Sequence, residues 1–206
     1  GTGGRVNPVT SHGVQMMSIQ YFLTGDSPVI WRGPLIHSAI QQFLRDVEWG
    51  ELDYLVIDLP PGTGDAALSI SQLIPLSGAV IVTTPQEVSL MDARKAIAMF
   101  NKVNVRTIGV VENMSSFICP DCGKEHDIFG SGGADSIARE LEIEVLGRIP
   151  IEPGVRSGGD AGVPITSAQH PGGDSSVAAA ALRELARTVA GRVSVIAAPF
   201  AGAAAS

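Results

Sequence analysis

Positive charge is scarce in this chain. Fourteen Lys and Arg stand against twenty-one Asp and Glu in 206 residues, a net charge of −7, and no basic cluster offers the phosphate-neutralising surface that nucleic acid requires. Lysine is rarer still. The first is Lys95, inside a predicted helix, and nowhere do the residues run G-x-x-x-x-G-K-[ST], the loop that cradles the β- and γ-phosphates of a nucleotide. No apolar run approaches the roughly 20 residues needed to cross a bilayer, and the opening GTGGRVNPVTSHG has neither the basic nor the apolar region of a secretory signal. These absences predict a cytoplasmic protein with no nucleic-acid or membrane partner. Cysteine is limited to Cys119 and Cys122, too few and too close for a disulfide framework, which points to metal or redox work in a reducing compartment.

The composition predicts a folded core, with 45% hydrophobic residues and a length that fits one sizeable domain. We expect that domain to span 14–192, after a flexible lead-in or truncation edge at 1–13 and before an Ala/Gly-rich tail at 193–206, disordered from Ala197 on. No internal repeat is evident. Val14 to Ile19 predicts a short strand. Pro34 is placed to open a helix whose Leu35, Ile36, Ala39, Ile40, Phe43, Leu44 and Val47 recur at helical spacing. Leu55, Val56 and Ile57 read as a strand buried on both faces, and Ala66 to Ile74 as a helix. Gly78 to Thr84 follows as a strand. A long helix then shows Val88, Met91, Ile97, Phe100 and Val103 on one face, followed by strands at Arg106 to Val111 and Glu144 to Ile149. Strands alternating with helices in this way imply βαβ units and a parallel sheet. A Gly-rich passage from Gly154 to Gly173 reads as loop, and Asp174 or Ser175 as the cap of a last helix carrying Val177, Ala181, Leu182, Leu185 and Val189.

The stretch LDYLVIDLPPGTGD, Leu52 to Asp65, joins one of these strands to a turn-rich loop. Asp58 falls at the strand's carboxyl end, where open α/β sheets bind ligands and where nucleotidases place a carboxylate that helps hold Mg²⁺. Gly62, between prolines and another glycine, allows the backbone to approach a phosphate. Asn113 sits at the end of another strand, where its amide suits an adenine edge; turning a loop is the plainer role for an Asn there. Pro150 lies in a loop that could flank the base. Arg32, in a Gly/Pro turn, could reach a phosphate or a second subunit, or serve a structural role.

The loop Cys119-Pro-Asp-Cys122-Gly brings two thiols together, whereas closed zinc sites and iron–sulfur clusters want four protein ligands. Three solutions are open from the residues. Two copies of the chain could share a [4Fe–4S] cluster across a two-fold axis; His126 could join the pair on zinc; or the thiols could form a redox disulfide, although no strand–CxxC–helix context surrounds them.

Taken in order, WRGP, WGELDYLVIDLPPGTGD, VTTPQEVSLMDARKAIAMF, GVVENMSSFICPDCG and IFGSGG resemble the Mrp family of P-loop ATPases that carry iron–sulfur clusters, relatives of MinD and the nitrogenase iron protein. The resemblance covers roughly Gly13 to Ile165, with a weaker echo in the last helix. It implies a three-layer, mainly parallel α/β sheet of the MinD-like P-loop class. It also implies a carrier that binds a [4Fe–4S] cluster across a homodimer and passes it to apo iron–sulfur proteins, with ATP and Mg²⁺ as cofactors. Under it Asp58 organises Mg²⁺ and the attacking water, Asn113 contacts adenine, and Cys119 and Cys122 ligate the cluster. Family members carry a Walker A loop upstream of the region where this chain begins. The resemblance therefore predicts a C-terminal part lacking the first βα unit, inactive toward ATP by itself. The rival reading is a non-catalytic interaction module whose CxxC loop holds zinc.

Overall fold

The computed structural model describes residues 5–22, 33–59 and 64–201, which fall in two compact units, Gly1–Pro75 and Leu76–Ser206. In the first unit, β1 (Val9–Ser11) and β2 (Val14–Met16) form an antiparallel hairpin. His12 and Gly13 turn it at positive φ, and the hairpin stops the strand expected to run on to Ile19, because β1 offers no partner beyond Met16. A 3₁₀ turn at Ile19–Phe22 follows, and Phe22 stacks on Phe43 of helix α1 (Gly33–Arg45). Helix α2 (Gly64–Leu73) packs against α1 and buries Ala66, Ala67 and Ile70. Arg32 and Gly62 lie outside the described residues.

The buried strand expected at Leu55 to Ile57 does not form. Residues 52–59 are irregular, with Leu55 and Tyr54 exposed and Val56 89% exposed. A strand exists by virtue of its ladder, and among the described residues none pairs with this segment.

The second unit is built on a mainly parallel sheet. β3 (Ala79–Thr83) and β6 (Val145–Ile151) both run parallel to β4 (Thr107–Ile118), on opposite sides of it, and β5 (Glu125–His126) pairs antiparallel with its far end. Side chains alternate between the faces with period two, except where the register shifts at Ile108 and at Leu146. On one face Val80, Ile108, Val111, Leu146 and Ile149 meet Ala178, Ala181, Leu182, Leu185 and Val189 of helix α6 (Val177–Ala201). The other face carries Ile81 and Val110 and is covered by α3 (Glu87–Lys102) and α4 (Gly133–Leu141), which bury Leu90, Ala93, Ile97, Phe100, Ala134 and Ile137. Helices on both faces of a parallel sheet give the three layers expected.

Several local expectations are corrected. The buried stripe of α3 is Leu90, Ala93, Ile97 and Phe100, whereas Val88 and Met91 are exposed, because the helix turns its i, i+3, i+7 series to the sheet. β4 runs seven residues past Val111. It passes a left-handed break at Met114 (φ 56°) and a register shift against β6, then pairs again at Phe117, with Ile151 of β6 and His126 of β5. The Gly-rich passage contains helix α5 (Pro153–Asp160), opened by Pro153 in its first turn. Helix α6 is capped by Ser176, whose hydroxyl oxygen accepts the Ala179 N–H, and not by Asp174 or Ser175. It continues to Ala201, through the first residues of the tail read as disordered. Among the described residues no helix is long and apolar enough to cross a membrane.

Candidate functional site

The two cysteines sit where β4 turns back into β5. Phe117 pairs with His126 and Ile118 with Glu125, so Cys119 begins the turn. Its N–H donates to the Lys124 carbonyl at 2.9 Å, and the Gly123 N–H donates to the Cys119 carbonyl at 2.9 Å. Gly123 makes this closure possible: its φ is +69°, a conformation that L side chains rarely adopt. The turn aims backbone N–H groups at the Cys119 sulfur. The amide of Cys122 contributes most and that of Asp121 next, followed by the Cys122 thiol, and together they lower the Cys119 pKa. N–H groups pointing at sulfur stabilise the thiolate, the form that binds metal. Cys119 is half-buried and Cys122 exposed, and both are free thiols.

His126 does not complete a metal site. It belongs to β5, and among the described residues no group of three or more His, Cys, Asp or Glu side chains converges to hold an ion. The redox context is absent as well, since the CxxC occupies a β-turn and no helix begins at it.

Asn113 lies within β4, half-buried, and its side-chain oxygen accepts the Met114 N–H at 3.0 Å. It is in register with Ile149 of β6, so it lies beside Pro150 on the adjacent strand. Pro150 is part of β6, not of the loop expected. A proline is tolerated there because β6 pairs only with β4 among the described residues, and a Pro without an N–H suits an edge strand. The sheet thus brings Asn113 and Pro150 together at its carboxyl end, the edge where open α/β sheets bind ligands. From Asn113 to Cys119 is at most about 20 Å of extended strand. Asp58 belongs to the first unit, exposed at the end of the irregular segment 52–59.

Sequence reasoning gave no role to Glu112. It is 2% exposed. One carboxylate oxygen accepts the Ala134 N–H at the start of α4, 2.8 Å away, and the other lies 3.5 Å from the Arg148 Nε on β6. The available signal was a single acidic residue directly after Val110 and Val111, in a run whose pattern demands burial.

Comparison with known proteins identifies the family and the fold. The family model described as "ParA: NUBPL iron-transfer P-loop NTPase" matches residues 2–190. An iron-sulfur cluster carrier protein of Synechocystis is 50% identical over 95% of this chain and 54% of its own length. The iron-sulfur cluster transfer protein NUBPL of Mus musculus is 48% identical over 84% of this chain and 54% of its own. The chain therefore spans about half the length of the curated relatives it matches. Among solved structures, a nucleotide-binding protein of Archaeoglobus fulgidus in complex with ADP superposes with a TM-score of 0.64 at 43% identity, over 79% of this chain and 63% of that one. The cell division ATPase MinD of Pyrococcus furiosus shares the fold, with a TM-score of 0.53 at 22% identity over 77% of this chain and 58% of that one. The chain belongs to the NUBPL iron-transfer P-loop NTPase family.

Proposed function

We propose that this chain is the cluster-holding part of an iron–sulfur cluster carrier, in which Cys119 and Cys122 ligate a [4Fe–4S] cluster shared between two copies and pass it to apo iron–sulfur proteins. The observation that carries this reading is the turn at Cys119–Gly123. It presents two free thiols at a hairpin tip, one of them with backbone amides on its sulfur, and no third ligand converges among the described residues. The donor set fits the cargo, because four-iron clusters are held by four thiolates and two copies supply four. Reduced thiols of this kind fit residence in the reducing cytoplasm.

Nucleotide enters the reading through the carboxyl edge of the sheet. Asn113 and Pro150 are adjacent there, as a base contact would need, and the Archaeoglobus relative was solved with ADP. Asp58 would hold Mg²⁺ and orient water, and Gly62 would approach a phosphate. The phosphate-cradling motif does not occur in these 206 residues, so they derive no hydrolytic step by themselves.

Anaerobic reconstitution with iron and sulfide tests the carrier reading. The expected product is a dimer with about two iron atoms per chain, since one four-iron cluster takes four thiolates, and its cluster should activate an apo acceptor. Cys119→Ser and Cys122→Ser should each abolish loading. Stoichiometric zinc with no cluster, or a cluster-loaded monomer, would overturn it.

A further inference from the structure

The cysteine hairpin lies between Glu112 on β4 and Ala134 in the first turn of α4, and these two points meet. Glu112 Oε2 accepts the Ala134 N–H at 2.8 Å, Glu112 Oε1 lies 3.5 Å from Arg148 Nε, and Arg148 Nη2 donates to Asp135 Oδ1 at 2.5 Å. A carboxylate 2% exposed persists only because both oxygens are engaged. A packed apolar side chain would serve the sheet with less desolvation penalty, as Val110 and Val111 do immediately before it. The carboxylate adds a fixed tie between the strand and the first turn of α4. That helix has no cap of its own, since Gly132 at its N-cap makes no side-chain bond, and a negative group at a helix N-terminus is favourable there.

We infer that Glu112 is a positioning residue for the cysteine pair. With Arg148 it ties the return leg, residues 127–133, back to β4 and so fixes how the hairpin presents Cys119 and Cys122 relative to the sheet. The outward leg is held by β6, through Asn113 with Ile149 and Phe117 with Ile151 on either side of the break at Met114, whereas the return leg has only the two residues of β5 in the ladder. On the return leg Ile128 is 55% exposed, and the turn there is held by the Gly130 N–H to the Asp127 carbonyl at 3.2 Å. Asn113 follows Glu112 directly, so the same clasp ties the proposed base contact to the thiols. The inference rests on the reading of the hairpin as the cluster ligand, but its first test needs no cluster.

Amide hydrogen exchange of the reduced, cluster-free chain reads the clasp directly. In Glu112→Ala the amides of 119–133 should exchange about tenfold faster or more, as expected when a buried bond to a charged acceptor is lost, while those of α3 and α6 keep their protection. Glu112→Gln keeps an oxygen for the Ala134 N–H and loses only the charge facing Arg148, so it should recover much of the protection. If Glu112→Ala does not fold, Glu112→Gln and Arg148→Met carry the test through smaller changes confined to the same segment. In reconstituted protein, the rate of cluster loss to a chelator should follow the same order, parent slowest and Glu112→Ala fastest. Parental exchange at 119–133 in all variants overturns the inference, and so does a loss of protection spread evenly over α3, α6 and the sheet. Localised loss of protection in a chain whose parent takes up no cluster supports the clasp and removes the carrier reading.

Discussion

Replacing Gly123 with alanine isolates the turn that prepares Cys119. An ideal Cβ at Gly123 meets nothing within 4 Å, so the substitution creates no clash, and its whole penalty comes from the backbone at φ +69°. Holding an L residue in that region costs about 1–2 kcal/mol, a factor of roughly 5–30 against the closed turn. The closed turn carries the amides of Cys122 and Asp121 onto the Cys119 sulfur and so lowers its pKa. Opening it returns the thiol toward its ordinary value. The assay is the rate of alkylation of Cys119 by iodoacetamide as a function of pH, read peptide by peptide by mass spectrometry. The parent midpoint should lie below the value of about 8.5 for free cysteine, and the Gly123→Ala midpoint should move up toward it. The linkage has a definite sign. A thiol whose pKa is depressed by the closed turn favours closure above its open-state pKa, and that contribution is lost as pH falls through the closed-state value. The difference between parent and variant should therefore narrow in acid. Global stability should hardly change, because Gly123 is exposed. An unchanged Cys119 midpoint in Gly123→Ala refutes the reasoning, as does a loss of stability as large as that of a core substitution.

Two other substitutions separate the scaffold from the chemistry. Ile137 is 0% exposed on α4, so Ile137→Ala should lose about 2–5 kcal/mol, the range for deleting buried methylenes and leaving a cavity. Urea denaturation should show this as a lower midpoint at unchanged slope, and a loss under about 1 kcal/mol would mean the site collapses freely. In protein that hydrolyses ATP, Asp58→Asn should slow the reaction by about tenfold or more, because it removes the charge proposed to organise Mg²⁺ and water. Cluster loading should persist in that variant; parental hydrolysis would remove Asp58 from the proposed site.

The sequence by itself determined the architecture of the second unit and singled out the cysteine pair as its candidate site. Val80 to Thr83, Val110, Val111 and Ile149 are β-branched or apolar runs separated by helices with a single apolar stripe, and that pattern has few solutions other than a covered parallel sheet. The CPDCG spacing is equally local, since two intervening residues keep both thiols in one short loop; the hairpin that carries the loop came from the structure.

Tertiary structure decided what depends on a neighbour. Leu55 to Ile57 have the residues of a strand, but a ladder needs a second chain segment, and sequence pattern does not say whether one is present. Pro150 reads as a loop residue until β6 is seen to pair on only one side, which leaves a missing N–H harmless. The extension of β4 past Val111 turns on the left-handed backbone of Met114, which no propensity would assign to a methionine. The role of Glu112 is the clearest case. Its partners Ala134 and Arg148 are 22 and 36 residues away in the chain, one of them a backbone N–H that carries no sequence signature, and only the packing of α4 and β6 against β4 brings them to one carboxylate.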